Sequence, residues 1–425
     1  MFFFIRKYLI IRALNSYLLP LFQDPDNCVL SDIHLASESI PAKFKKRCSC
    51  ESKAENDLEG QCFLSNLRFR IPLTELNKAI APVTSVNTCQ TEKDERQTDA
   101  VTAGKWEYFL PFHHSGPTKL ADVGSQLWNG CLLLIDWLIH QSLYGERFTI
   151  NDAVLELGCG LGCAGLIAAL CGAGVVFLTD RWDSSLSEMP AICEANVTRW
   201  TVRFILPDML LRMRRIDWDE VWPPRSASFN NPVASTSSPQ QSYSANHHSD
   251  NKNNSHDYAW DDDELCIIGC QSNSLEGPAD TRFSTSQQLQ LRLIMAADVV
   301  YDTEKTEALL RTVCSILEEN ASSHPTSVPR AIFAVERRIC FTLDELTSSS
   351  RAYDHFVDCL NQLDGYVPLE VDGVAYEYRG RQVATEDIPQ YVDYPEGSRG
   401  QNLFLWTLEL LGCQSATSLH SEVLN

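Results

Sequence analysis

Short apolar runs alternate with longer segments of mixed character through the middle and the second half of this chain. The predicted strands lie at 153–157, 175–179, 291–297 and 331–335, and the predicted helices at 163–171, 188–196 and 303–320. Strands and helices in alternation are typical of a parallel sheet whose crossover helices cover its faces. The pattern therefore predicts an α/β fold.

Further elements are predicted on either side of this alternating region. Residues 123–145 carry apolar side chains at helical spacing, which predicts an amphipathic helix that covers one sheet face. After the last of the four strands, residues 343–363 are predicted to be largely helical. Late strands are predicted at 367–371 and 402–408.

Composition divides the chain into parts. Residues 224–288 are rich in Ser, Asn, Gln and His, with an acidic run at 261–264, so they cannot bury enough apolar surface to offset the cost of ordering. Since the alternation resumes afterwards, we expect a disordered insertion inside one fold. The expected parts are a partly disordered N-terminal extension (1–101), a first domain part (102–222), a low-complexity insertion (223–290), a second domain part (291–413) and a C-terminal tail (414–425).

Composition and charge then restrict the classes of function. The 425 residues are 44% hydrophobic, which is ample for a core, and they carry a formal net charge of -21. This charge argues against a nucleic-acid binder that works through a generally basic surface, and it favours a basic partner. We therefore expect no direct contact with nucleic acid.

The cysteines indicate a reducing compartment. None of the 16 belongs to paired C-x-x-C units with metal-ligand spacing, and most lie in apolar segments, where free cysteine packs as a small hydrophobic residue. The pairs His113-His114 and His247-His248 also lack ligand partners at metal spacing, so no metal site is expected. The expected location is the nucleus, the cytoplasm or both.

The beginning of the chain is apolar and basic, which raises the question of targeting. Arg6, Lys7 and Arg12 interrupt the apolar run well short of the roughly 20 residues that a spanning helix needs, so no membrane span is expected. A basic amphipathic anchor, a mitochondrial presequence and an extension of no fixed role stay open for residues 1–23. The basic patch at 43–47 is either a nuclear localisation signal or solvated surface.

Gly158, Gly160 and Gly162 stand at every second position between the first strand and the next helix. They let the backbone turn tightly and approach a ligand. A dinucleotide fold would need G-x-G-x-x-G, and a phosphate loop would need a Gly-Lys-Ser/Thr ending; neither is present. The third interpretation is an S-adenosylmethionine turn, in which two acids bracket a cationic amino acid and its ribose. Glu156 and Asp180 occupy those two places, and a carboxylate can accept from both hydroxyls of a sugar.

Three separated motifs fall in order on the predicted elements: LWNGCLLLIDWL before the first strand, VLELGCGLGCAGL at the glycine turn, and AADVVYD at 296–302. Together they resemble the seven-strand Rossmann-like methyltransferases, and within them the protein-lysine methyltransferases of the family 16 type. The resemblance covers about residues 106–222 and 291–410. It implies a seven-stranded Rossmann-like sheet with helices on both faces.

The resemblance also implies which residues bind S-adenosylmethionine. They are Trp128, Glu156, Gly158, Gly160, Gly162, Asp180, Asp217, Trp218 and Ala297. Trp128 would pack near the methionine end, and Asp180 would hold the ribose hydroxyls. Trp218 would stack on the adenine, with Asp217 beside its amine. A core tryptophan at 128 and a capping or packing role for the Asp217-Trp218 pair are the alternatives that the sequence leaves open.

Asp298 and Tyr301 are the expected catalytic residues, because the resemblance matches them to the D-x-x-Y motif of the family. They end the fourth strand, where open parallel sheets place their ligands. Asp298 would orient the incoming amine, and Tyr301 would narrow its channel. No dedicated general base is assigned.

The activity that the resemblance implies is transfer of a methyl group to a lysine of a protein. It suggests a nuclear nucleic-acid-binding protein of the KIN type as substrate, and contacts with a chaperone. A non-catalytic scaffold, or a methyltransferase for a small molecule or nucleic acid, remains an alternative, since this fold serves many acceptors. The motif reads DVVY, not the N-P-P-Y or D-P-P-Y that would indicate an amide or base nitrogen.

Overall fold

The computed structural model describes residues 28–29, 31, 33, 40–41, 62–72, 105–182, 189–204, 210–219, 289–342 and 347–414. Its strands are β1 (Cys28–Val29), β2 (Ile40–Pro41), β3 (Cys62–Pro72), β4 (Lys105–Ser115), β5 (Thr118–Lys119), β6 (Asp152–Leu157), β7 (Val175–Asp180), β8 (Leu210–Arg215), β9 (Gln290–Ala297), β10 (Arg330–Glu336), β11 (Cys340–Thr342), β12 (Thr347–Ser349), β13 (Leu369–Val371), β14 (Val374–Val383) and β15 (Leu403–Gln414). Its helices are α1 (Asn129–Tyr144), α2 (Cys163–Leu170), α3 (Met189–Phe204), α4 (Thr303–Ser323) and α5 (Arg351–Leu363), with a 3₁₀-helix (Leu120–Ser125) before α1. The segment 1–23, the basic patch and nearly all of the predicted insertion lie outside the described residues.

A sheet with the strand order β13-β14-β15-β10-β9-β6-β7-β8 forms the central layer. The strands from β10 to β8 are parallel, and β15, β14 and β13 continue the sheet in antiparallel pairing. The chain moves outward from β6 to β7 and β8, then returns to β9 on the other side of β6. Open α/β sheets bind ligands in the crevice at such a reversal. The predicted Rossmann-like α/β class is confirmed, with the short β13 making eight strands where seven were expected.

Helices cover both faces of this sheet, which explains why the inner parts of β6, β7, β9 and β10 are largely apolar. Val154 and Val176 belong to the buried cluster that includes α1 and α2. Leu155 and Phe177 belong to the cluster that includes α4 and α5. Because successive residues of a strand point to opposite faces, a strand buried on both sides has no position for an exposed polar residue.

Helix α1 differs from the amphipathic helix that was expected at 123–145. It starts only after the 3₁₀ turn, and residues 132–135 are each at most 1% exposed. Consecutive helical residues point in different directions, so α1 is buried nearly all round. Tyr391 and Val392 cover its other side. Their N–H groups donate to the buried carboxylate of Asp136 at 2.7 Å and 3.0 Å.

Strands β3 and β4 form a long antiparallel pair that the sequence did not predict. The inner face of the pair contributes Leu67, Phe69 and Phe112 to the same buried cluster as α1. The N–H of Arg70 donates to the carbonyl oxygen of Tyr391 at 2.7 Å, which ties the pair to the second half of the chain. Long polar stretches beside these strands concealed their alternation. The predicted boundaries between the parts of the chain stay predictions.

Two predictions for the second half of the chain are wrong in detail. The segment 343–363, expected to be largely helical, contains β12, which pairs with β11, and α5 starts only at Arg351. Strand β14 was not expected, and β15 extends beyond 402–408 because it pairs with β14 along most of its length. Among the helices of the described residues, none has the length and apolar character needed to cross a membrane.

Candidate active site

The turn between β6 and α2 depends on backbone positions that only glycine occupies without strain. Gly158, Gly160 and Gly162 have positive φ angles of 71°, 50° and 76°. A Cβ on Gly160 would lie 2.5 Å from the carbonyl oxygen of Gly124, and a Cβ on Gly158 would lie 2.6 Å from Val299. The turn therefore presents bare backbone to the space beside it.

A cavity of about 340 Å³ lies beside this turn, at the carboxyl ends of β6, β7 and β9. This volume falls within the ~300–1,000 Å³ that is typical of ligand pockets. The predicted site residues that line it are Trp128, Glu156, Gly158, Gly160, Asp180, Trp218, Ala297, Asp298 and Tyr301. Gly162, at the N-cap of α2, and Asp217, which pairs with Arg181, do not line it.

Glu156 is a buried carboxyl group next to the glycine turn. It is 2% exposed, and one of its oxygens accepts a hydrogen bond from the N–H of Gly165 at 2.9 Å. Burial raises the pKa of Glu156 to about 8; the Gly165 N–H opposes this rise, and the charge of Asp180 adds to it. Because a nearby positive charge favours an ionised carboxylate, this position suits an ammonium group.

Asp180 ends β7 on the other side of the turn. Its Oδ2 accepts a hydrogen bond from the N–H of Gly160 at 2.9 Å, and its Oδ1 accepts one from the N–H of Arg181 at 2.8 Å. Burial raises the pKa of Asp180, and these two N–H groups oppose the rise. A carboxylate has about four acceptor positions, so Asp180 can still accept from two hydroxyl groups.

Trp218 forms an aromatic wall of the cavity against the turn. Its ring would lie 3.4 Å from a Cβ on Gly158, and its buried indole Nε1 has no hydrogen-bond partner among the described residues. Asp217 pairs instead with Arg181 (3.2 Å) and Arg215 (3.7 Å). The stacking role of Trp218 and the adenine contact of Asp217 stay predictions, and the arginines compete for the carboxylate of Asp217.

Trp128 stands at the N-cap of α1 and lines the cavity. Its indole N–H donates to the carbonyl oxygen of Val123 at 2.9 Å. The guanidinium carbon of Arg338 lies 4.7 Å from the centre of its ring. The ring is therefore part of the cavity wall and contacts a cation.

Asp298 follows β9 with a φ of 52°, a left-handed conformation that aspartate adopts more readily than most residues. Its Oδ2 accepts a hydrogen bond from the N–H of Gly130, and its Oδ1 accepts one from the N–H of Glu336 at 3.0 Å. Burial raises the pKa of Asp298 to about 6, and Arg338 is the largest opposing influence. The carboxylate thus joins α1 to β10 beside the cavity, whereas Tyr301, at 43% exposed, stands on its open side.

The cavity also contains residues that the sequence did not indicate. Arg181 and Met189 line it, together with Cys131, Cys159 and Cys163. Burial raises the pKa of all three thiols, so they stay neutral and pack as small apolar groups. Tertiary packing alone brings these residues together, and no spacing rule indicates them. Within the described part of the chain, no group of three or more His, Cys, Asp or Glu is placed to hold a metal ion.

The strand order, the glycine turn and the carboxyl groups on either side of it define the class of protein, a Rossmann-like methyltransferase fold. Residues 116–228 match a family model described as lysine methyltransferase. This match agrees with the family that the sequence motifs indicated.

Two curated relatives, both named methyltransferase-like protein 22, are similar to this chain. The Mus musculus protein is 27% identical over 257 residues, which cover 60% of this chain and 50% of the relative. The Homo sapiens protein is 27% identical over 307 residues, which cover 70% of this chain and 57% of the relative. The chain thus spans about half the length of these relatives.

Among solved structures, the crystal structure of SMU.776 complexed with SAH is 11% identical to this chain. It matches with a TM-score of 0.30 over 71% of this chain and 54% of that chain. A TM-score of this size supports no argument about the fold.

S-adenosylmethionine is the cofactor that the family implies, and the chemistry of the cavity fits it. Its ammonium group suits the buried Glu156, and its ribose suits the remaining acceptor positions of Asp180. Trp218 adds a buried indole N–H that no described residue accepts, a polar atom that a ligand can satisfy.

Proposed function

We propose that this chain transfers a methyl group from S-adenosylmethionine to a lysine side chain of a basic protein. The observation that carries the proposal is that Asp298 and Tyr301 line the same cavity as Glu156 and Asp180. Cofactor binding by itself would need only Glu156 and Asp180. A scaffold would need none of these four residues.

The chemistry requires an aligned, neutral nucleophile and a site from which water is excluded. S-adenosylmethionine supplies a methyl group on a positively charged sulfur. Alignment of two reactants can supply roughly 7–11 kcal/mol of the barrier. Asp298 suits this task because Gly130 and Glu336 fix its carboxylate, which keeps lone pairs for the N–H groups of an amine.

The lysine amine must also lose its proton before it reacts. A dry cavity disfavours the charged amine, and a positive sulfur nearby does the same, so the pKa of the lysine falls. Tyr301, beside Asp298, narrows the approach to the cavity. We assign no dedicated general base.

The substrate class rests on charge and on the family resemblance. A chain with a formal charge of -21 attracts a basic protein at long range. We therefore propose as substrate a nuclear nucleic-acid-binding protein of the KIN type. Contacts with a chaperone and a nuclear or cytoplasmic location belong to the same proposal.

Labelled S-adenosylmethionine tests the activity directly. The purified chain is incubated with the labelled cofactor and a nuclear extract, and the modified residue is located by mass spectrometry. Label on a lysine of a basic protein supports the proposal, whereas label on nucleic acid or on a small molecule contradicts it. Cofactor binding without any transfer would favour the scaffold.

Replacing Asp298 with asparagine should lower the rate of methyl transfer by about 100-fold or more, a loss of the size seen when one group that stabilises the transition state is removed. Asparagine tolerates the left-handed backbone, so cofactor binding should be largely retained. Single-turnover kinetics and calorimetry measure the two effects. Asp298→Ala should also abolish transfer, but it removes both ties to α1 and β10.

Asp372→Asn is the matched control, because Asp372 also has a positive φ, 53°, and lies in the exposed turn between β13 and β14. It should leave the rate of transfer unchanged. Normal transfer by Asp298→Asn would show that the acceptor site lies elsewhere.

A further inference from the structure

Arg338 places a cation beside Asp298. It lies in the turn between β10 and β11, and its guanidinium carbon is 4.7 Å from the centre of the Trp128 ring. Its Nε lies 3.4 Å from Glu336 Oε2, and its Nη2 lies 3.9 Å from Asp298 Oδ1. One aromatic face and two carboxylates thus surround a positive charge, an arrangement that binds cations well.

The groups around Arg338 are fixed by other contacts. Asn129 Nδ2 donates to Glu336 Oε1 at 3.2 Å, and Asp298 accepts from the N–H groups of Gly130 and Glu336. The Oδ1 of Asn129, which is 3% exposed, has no hydrogen-bond donor among the described residues. Buried acceptors normally have a donor, so this oxygen next to Glu336 is able to accept from a further N–H group.

Arg338 itself is held loosely. Both of its distances to carboxylate oxygens exceed the 2.7–3.2 Å of a good N–H···O hydrogen bond. The preceding residue is held differently: Arg337 donates through Nε to Ser350 at 3.0 Å, and its guanidinium lies over the ring of Tyr353. One arginine of this turn therefore anchors the turn to α5, and the other occupies the site.

We propose that Trp128, Asp298 and Glu336 bind the acceptor lysine in its protonated form as it enters, before it loses its proton beside the positive sulfur, and that Arg338 fills this site until the substrate enters. The inference rests on the proposed function. A lysine ammonium group has the same charge and can approach the carboxylates to about 2.7–2.9 Å. Arg338 stays at 3.4 and 3.9 Å, so the ammonium can displace it. Arg338 then acts as a specificity residue, because a neutral acceptor cannot replace it at the two carboxylates.

Binding of a small cation tests this inference without methyl transfer. The probe is n-butylammonium, which reproduces the lysine side chain, and 1-pentanol is the neutral probe of similar size. Both are titrated into the full chain loaded with the demethylated cofactor and followed by NMR. If Arg338 fills the site in about nine molecules of ten, Arg338→Ala should raise the affinity for n-butylammonium by about tenfold.

Matched variants separate the effect of the charge at position 338 from an effect on folding. Arg338→Lys keeps a cation in the turn and should bind n-butylammonium nearly as weakly as the native chain. Arg292→Ala, at the opposite end of β9 from Asp298, where Arg292 pairs with Glu146, should leave the affinity unchanged. Glu336→Gln, added to Arg338→Ala, should remove the gain, and 1-pentanol should show no gain in any variant.

Kinetics with the protein substrate complete the test. Arg338→Ala should lower the KM for that substrate and leave the KM for S-adenosylmethionine unchanged. An unchanged or lower affinity for n-butylammonium in Arg338→Ala overturns the inference, whatever the activity. A tenfold gain in a chain that methylates no lysine supports the cation site and refutes the proposed function.

Discussion

At the scale of single residues, the cavity changes the pKa values of its carboxyl groups mainly because burial removes them from water. Burial is the largest influence on Glu156, Asp180 and Asp298, and it raises the pKa of each. The backbone N–H groups that contact these carboxyls lower the pKa but do not cancel the effect of burial. A cationic ligand supplies the missing stabilisation, so acids and ligand complement one another.

Binding of S-adenosylmethionine should release a proton near neutral pH. The pKa of about 8 keeps the free Glu156 carboxyl mostly protonated at neutral pH, and a cationic ligand favours the ionised form. Affinity should therefore rise between about pH 6 and about pH 7.5, by at most about tenfold per pH unit. Calorimetry in buffers of different ionisation enthalpy measures the released proton. Identical heats in all buffers would contradict this assignment, and Glu156→Gln should abolish the release.

Asp180→Ala should weaken the binding of S-adenosylmethionine by about tenfold or more, since a hydrogen bond to a charged group contributes about 1.5–3 kcal/mol. Calorimetric titration measures the affinity. Asp219→Ala is the control, because Asp219 is exposed and pairs with Lys305. Equal affinities in Asp180→Ala and the native chain would remove the ribose assignment.

At the scale of elements, α1 connects the cavity to the rest of the fold. Its first turn supplies the N–H of Gly130 to Asp298, with Trp128 at the N-cap. Nearly two turns further along, Asp136 accepts from two backbone N–H groups, from the hydroxyl of Tyr394 at 2.8 Å, and from Arg399 at 3.2 Å. The loop before β15 therefore holds the helix that positions the site.

Asp136→Asn should lower the free energy of unfolding by about 3 kcal/mol, because it removes the charge partner of Arg399 within a buried network. Urea denaturation measures the change. Asp393→Asn is the matched control: Asp393 is 33% exposed and pairs with Arg68 and Arg70 at 3.5 and 3.4 Å. Exposed pairs contribute about 1 kcal/mol or less, so a similar loss in both variants would contradict a special role for Asp136.

At the scale of the whole molecule, charge and topology act on different steps. The reversal of strand order between β6 and β9 places the cavity. The formal charge of -21 acts at longer range, on the encounter with the basic partner that we propose. Salt screens this attraction, whereas it weakens contacts inside the cavity much less.

The kcat/KM for a basic protein substrate should therefore fall by about tenfold or more between about 50 mM and about 500 mM salt, as expected for electrostatically steered association. Steady-state kinetics over this range measure the effect. A short neutral peptide with the same lysine should show little change. A protein substrate insensitive to salt would contradict the proposal that charge attracts the partner.

Local patterns determined strands β6, β7, β9 and β10 and the residues around the glycine turn. Strands buried on both faces read as continuous apolar runs, and a turn with positive φ at alternate positions requires glycine, so both are visible in the sequence. The proximity of Glu156 and Asp180 could also be predicted. They lie near the carboxyl ends of β6 and β7, and the carboxyl ends of neighbouring parallel strands meet at one edge of the sheet.

Only the tertiary structure decided what lies far apart in the chain but close in space. Local periodicity does not indicate the pairing of β3 with β4, the burial of α1 by Tyr391 and Val392, or the place of Arg338 against Trp128. These contacts form because the sheet and its connections bring distant segments together. Side-chain packing then determines which residues of those segments touch. The sequence thus determined the glycine turn and the acids on either side of it, and the fold decided which cation stands near them.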